Sequence, residues 1–202
     1  MSTMSAIIEQ YEAQFPEPLR MSEEEYLAFE AASEVKHEYE LGSVWTMAGT
    51  SDEHNIIALN IAAELRAQLR GKPCKVFFAD IRCKTITLKK PNYYYPDVIV
   101  ACDPTDNDRY MRERPSLVCE VLSPTTARVD QHKFLFYLQN AALQYYLLVA
   151  QDAIRVQLSR RHGDEWLYEE LKEPADVLNL DAIGCQLSLA QIYEGIDFTA
   201  AK

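Results

Sequence analysis

Three apolar runs limit what this chain can fold into: YYPDVIVAC at 94–102, SLVCEVLS at 116–123 and QYYLLVA at 144–150. Each is short, rich in β-branched or aromatic residues and almost free of charge, which marks strands lying inside a sheet. Helical patterns alternate with them. TSDEHNIIALNIAAELRAQLRGKP places Ile57, Ile61, Leu65 and Leu69 on one stripe, offers Thr50 and Glu53 as a capping box, and stops at Gly71 and Pro73. A second helix follows SPTT and runs to about residue 140. Strands interleaved with helices require a mixed sheet with helices packed on it, an α/β or α+β domain.

The flanking elements fit that frame. MSEEEYLAFEAA opens a short helix with Ser22 and Glu25 as a capping box and Met21 and Tyr26 as its hydrophobic staple. HEYELGSVWTMAG reads as a hairpin around Leu41, Gly42 and Ser43, with Val35, His37 and Tyr39 on one face and Lys36, Glu38 and Glu40 on the other. KVFFADIRCKTITL reads as one long strand, and IRVQLSRR with WLYEEL as a hairpin turning at Gly163. At 202 residues the chain suits one domain. We expect it over 21–198, after a partly ordered lead-in at 1–20 containing Pro16 and Pro18.

No basic head followed by an apolar run opens the sequence, and no later segment approaches the roughly 20 apolar residues of a membrane helix. A cytoplasmic protein is the expectation. The five cysteines show no C-x-x-C spacing and lie mostly in apolar surroundings, so they read as reduced structural thiols. The net charge of -11 opposes a general nucleic-acid coat. Residues 66–90 depart from it, with eight Lys or Arg against the single acid Asp80. That segment is either a solvated basic face or one that meets a polyanion.

Two acids sit where apolar residues belong. Asp97 follows Pro96 and leads into VIVAC, and Glu120 lies mid-run in SLVCEVLS. Alternation groups Tyr95, Asp97, Ile99 and Ala101 on one face and Ser116, Val118, Glu120 and Leu122 on another. If the two strands are neighbours the carboxylates meet, and at ~4 Å they repel by about 4 kcal/mol at a surface-like dielectric. A divalent cation relieves this, and hard carboxylate oxygens, with a main-chain carbonyl such as that of Val121, suit Mg²⁺ or Mn²⁺. The other reading pairs each acid with a separate Arg. Phosphodiester chemistry also needs a positive group, and the position two after Glu120 is Leu122. Lys133 takes that place in our reading. It lies about six residues into the following helix, a rise of ~9 Å that returns it abreast of Glu120 if the helix runs back along the sheet. An intrahelical pair with Asp130 is its alternative.

Asp97 after Pro96, the strand-borne Glu120 and the helical Lys133 resemble a PD-(D/E)xK nuclease core whose lysine has migrated. More closely, MSEEEYLAFE, HEYELGSVWTMAG, HNIIALNIAAELRAQLRGKPC, YYYPDVIV, VCEVLSPTT and YYLLVAQD together resemble the Uma-type putative restriction endonuclease family, a domain of unknown function, over about 21–198. The resemblance implies a restriction-endonuclease-like core, a central mixed sheet flanked by helices. It also implies Asp97 and Glu120 as metal ligands and Lys133 as catalytic base or charge stabiliser, in an enzyme hydrolysing phosphodiester bonds, in DNA foremost, with Mg²⁺ or Mn²⁺.

Six further residues are candidates. Glu38 reads either as a solvent-facing strand acid or as an additional metal carboxylate. His54, in the first turn of the long helix where the dipole disfavours a protonated ring, is a boundary histidine or a neutral hydrogen-bonding or water-orienting group. Asp80 either pairs with Arg82 or Lys84 along its strand or assists the acids. Arg82, Lys84 and Arg128 are candidate nucleic-acid contacts. Two rival functions stand beside the enzyme: a nucleic-acid-binding module that has lost turnover, and a protein-interaction subunit whose exposed hairpin pairs with a second copy as a homodimer.

Overall fold

The computed structural model describes residues 19–47, 49–123 and 127–199, with the backbone alone at 127–131. The lead-in up to residue 18 and the turn residues 124–126 lie outside the described residues, as does the side chain of Arg128. The chain divides into two compact units, at the boundary between residues 48 and 49.

In the first unit, strand β1 (Leu19–Arg20) pairs antiparallel with β3 (Ser43–Thr46), which pairs in turn with β2 (His37–Glu40). Helix α1 (Glu23–Ala32) begins with the expected reciprocal cap between Ser22 and Glu25. Its buried Tyr26 donates a hydrogen bond of 2.7 Å from Oη to the carbonyl of His37 and stacks on Tyr39. The hairpin turns through Leu41 and Gly42, both at positive φ, the conformation a two-residue loop of this twist demands.

The second unit is built on a six-stranded mixed sheet in the order β12, β11, β10, β9, β7, β4. These are Glu165–Leu171, Val156–His162, Tyr145–Ala150, Leu117–Leu122, Val98–Ala101 and Lys75–Phe78. Strands β9 and β10 run parallel, as the helix α3 (Ala127–Tyr137) between them requires, and the other pairings are antiparallel. Helix α2 (Asp52–Gln68) buries Ile57, Ile61 and Leu65 against Val98, Val100, Leu117, Cys119 and Val121 on one face. On the opposite face Phe134 and Tyr137 of α3 pack on Tyr146 of β10. All six residues of β9 are buried, which is why its sequence lacks the alternation of a half-exposed strand.

Beyond α3 lies a smaller group of strands: β5 (Arg82–Thr87) pairs antiparallel with β6 (Lys90–Tyr94) and parallel with β8 (Met111–Arg112). Tyr94 meets Phe136 and Tyr137, so α3 is packed between this group and the main sheet. A C-terminal hairpin, β13 (Val177–Leu180) with β14 (Cys185–Ser188), and the short helix α4 (Leu189–Ile192) complete the α2 side of the core.

Several expectations need correction. The run KVFFADIRCKTITL is two strands, because the chain passes from the main sheet to the smaller group at Ala79, whose φ is 63°. Asp80 therefore does not share a strand face with Phe78 and Arg82. Strand β6 and its tight turn at Leu88 and Lys89 were not foreseen, nor were the C-terminal hairpin and α4. The long helix is capped by Ser51 rather than Thr50, with Ser51 Oγ accepting the N–H of His54. Finally, Cys74 and Cys102 are joined in a disulfide, while Cys83, Cys119 and Cys185 are free and buried. One step beyond the pair Lys75 and Ala101, the ladder of β4 and β7 sets the first two directly opposite.

Candidate functional site

The ladder between β7 and β9 ends at Val98 opposite Cys119. Asp97 is the next residue before Val98, at a bend outside the ladder, and Glu120 is the next after Cys119, inside β9. Strand β9 continues to Leu122, so the Val121 N–H faces the side where β7 has run out. Asp97 fills that gap with its side chain: Oδ2 accepts the Val121 N–H at 2.7 Å. Its Oδ1 is 2.9 Å from His54 Nε2 in the first turn of α2. The carboxylate is thus turned to the end of the ladder rather than lying flat on one face, as simple alternation suggested. Backbone contact also holds the residue, since its carbonyl accepts the N–H of Ala79 at 3.0 Å.

Glu120 is 4 % exposed and projects from the α3 face, with Leu148 beside it on β10. The same face receives Lys133, itself 7 % exposed. Tyr137 is packed on Tyr146, which pairs with Val118. Lys133 is one helical turn nearer the N-terminus, about 6 Å, and two strand residues from Val118 to Glu120 cover about 6.6 Å. By these rises Lys133 would come level with Glu120 along the strand. Its Nζ lies 5.7 Å from the centre of the Tyr94 ring, a cation–π contact.

The acids leave an electrostatic trace on their neighbours. Burial pushes the thiols of Cys83 and Cys119 well above their ordinary range. The charge of Glu120 adds to both, and that of Asp97 adds at Cys119. Among the described residues no group of three or more His, Cys, Asp or Glu is arranged to hold a metal. Asp97 and Glu120 are the carboxylates that could hold one, and so open a donor set would suit Mg²⁺, which keeps several waters and needs one or two carboxylates.

The other candidates are dispersed. Asp80 is exposed at the bend beyond Ala79, at the same end of the sheet as Asp97. Arg82 and Lys84 lie on the face of β5 away from the buried Cys83, both over the Tyr93 ring, and Lys84 is 3.4 Å from Glu113. Glu38 is in the first unit, half-buried and opposite Trp45. Sequence reasoning missed Tyr94 as the platform under Lys133 and the Val121 N–H as a partner of Asp97. The local signal for His54 was its place in the first turn of the long helix.

Comparison with known proteins agrees with this architecture. The family model described as "Putative restriction endonuclease" (Uma2) matches residues 23–191. The uncharacterized protein slr1290 of Synechocystis sp. (strain ATCC 27184 / PCC 6803 / Kazusa) is 35% identical over 189 residues, covering 92% of this chain and 96% of its own. A second uncharacterized protein of that organism, sll1609, is 35% identical over 152 residues, 73% of this chain and 85% of its own. The crystal structure of a protein from Anabaena variabilis ATCC 29413, described as a putative nuclease belonging to DUF820, superposes with a TM-score of 0.68. It is 17% identical and covers 86% of this chain and 97% of that one, a likeness of fold. The chain belongs to the Uma2 family, the putative restriction endonucleases.

Proposed function

We propose that this protein is a divalent-metal-dependent endonuclease of the PD-(D/E)xK type that hydrolyses phosphodiester bonds in DNA, with Asp97 and Glu120 as its metal carboxylates and Lys133 as its catalytic cation. The observation that supports the reading is the hydrogen bond from the Val121 N–H, one residue after the buried Glu120, to Asp97 Oδ2.

When bound, Mg²⁺ or Mn²⁺ supplies a more acidic water and screens charge on the phosphoryl oxygens. The protein's own groups do the rest. Glu120 presents its oxygens from within β9, and Asp97 presents its own from just before β7, held by the Val121 N–H. Lys133, kept dry against Tyr94, stabilises charge that builds on the transferred phosphoryl group or takes a proton from the attacking water. Its arrival from a helix offsets the apolar Leu122 at the place two after Glu120. Arg82, Lys84 and Arg128 are proposed backbone contacts to the nucleic acid.

The test is cleavage of supercoiled and linear DNA with Mg²⁺ or Mn²⁺ by the native protein and by Asp97→Ala and Glu120→Ala, with circular dichroism to verify folding. Native protein should cleave, and both variants should lose divalent-dependent cleavage while remaining folded. Equal cleavage by folded Asp97→Ala would refute the assignment. The buried Leu122 motivates a second reading, a nucleic-acid-binding module without turnover. Salt-sensitive DNA binding indifferent to Mg²⁺ and to Asp97→Ala, with no cleavage of any substrate, is the pattern that favours it.

A further inference from the structure

Asp97 stands outside the ladder, and its side chain is 20 % exposed. A carboxylate so placed is free to rotate unless something holds both of its oxygens. Two elements do so from different directions: the N–H of Val121 on β9 meets Oδ2, and the ring of His54 on α2 meets Oδ1. Each carboxylate oxygen has a second lone pair, so these contacts leave acceptor capacity for a cation.

The ring itself is well anchored. His54 is 9 % exposed, its N–H is fixed by Ser51 Oγ at 3.2 Å, and the helix that carries it is locked into the core by Ile57, Ile61 and Leu65. A Glu or Gln at this place in the helix folds back to the cap to complete a capping box. Here the side chain points outward instead, across 43 residues of sequence, to Asp97. A ring N–H directed at the carboxylate orients it.

We infer that His54 is a positioning residue, which holds the Asp97 carboxylate in the orientation that accepts a divalent cation; the inference rests on the reading of Asp97 and Glu120 as the metal carboxylates. Metal-ligating groups that lose such a supporting hydrogen bond typically bind about 10–100-fold more weakly.

The experiment is calorimetric titration of Mn²⁺ into the intact protein and four variants, with thermal unfolding of each. His54→Phe keeps the ring volume and removes the donor, whereas His54→Gln removes the ring and keeps an N–H at the level of Nε2. Asp97→Asn and Glu120→Gln report on the metal reading itself. We expect His54→Phe to weaken Mn²⁺ binding about 10–100-fold and His54→Gln to restore most of it, whatever either does to the unfolding temperature. If His54→Phe lowers thermal stability but leaves Mn²⁺ affinity unchanged, or if His54→Gln binds as weakly as His54→Phe, the histidine only ties α2 to β7 and the inference is overturned. If the Asp97→Asn and Glu120→Gln proteins bind Mn²⁺ as the native one does, the metal reading fails first, and visibly so. Should His54→Phe not fold, His54→Ala serves as the variant without a donor.

Discussion

At the scale of single residues, the proposed chemistry rests on two acids and a lysine, of which Glu120 and Lys133 are buried. Lys133 rides on Tyr94, without belonging to the proposed metal donors. Lys133→Met should therefore reduce single-turnover DNA cleavage by about 10²–10³-fold while Mn²⁺ affinity stays within a factor of about three. A variant that cleaves at the native rate removes Lys133 from the mechanism. Asp97 and Glu120 were legible in the sequence because a lone acid in an apolar run is costly unless something compensates it. His54 was not legible in the same way, since its partner is 43 residues away and no local pattern encodes that distance. Lys133 was intermediate: helical rise and strand rise placed it, given that the helix returns along the sheet.

At the scale of elements, turns carry the information that strand propensity lacks. Leu88 and Lys89 form the two-residue loop of the β5–β6 hairpin with φ of 51° and 63°. Both conformations favour Asn or Gly over Leu or Lys. Leu88→Asn combined with Lys89→Gly should raise unfolding free energy by about 1 kcal/mol, measured by urea denaturation. No gain, or a loss, indicates that the hairpin does not turn there. This turn explains a failure of sequence reading: with neither Asn nor Gly at the loop, β5 and β6 gave no hairpin signal. The break at Ala79 was hidden for a similar reason, because an alanine at positive φ has no compositional mark and the runs on both sides read as strand. Ser51, by contrast, was one residue from its expected neighbour, within the usual slack of a helix boundary.

At the scale of the whole molecule, the cysteines divide by position in the fold. Cys74 and Cys102 close the β4–β7 ladder, and the three free thiols lie in buried places. Alkylation followed by mass spectrometry should find three reactive thiols in protein unfolded without reductant and five after reduction. In the native state Cys83 and Cys119 should resist alkylation near pH 8, because burial and the charge of Glu120 hold them protonated. Five reactive thiols before reduction would overturn the disulfide pairing. The family model spans residues 23–191, so it runs across both compact units rather than stopping at their boundary.

The sequence by itself determined the layered mixture of strands and helices, the capping of the first helix and the identity of two anomalous acids, because period, burial and capping are properties of neighbouring residues. Tertiary structure alone decided that β7 lies beside β9, that KVFFADIRCKTITL serves two groups of strands, that Cys74 meets Cys102, and that His54 turns to Asp97. These depend on register and on contacts between distant segments. Their free energy is gained when the chain closes on itself, and no window of consecutive residues carries a record of it.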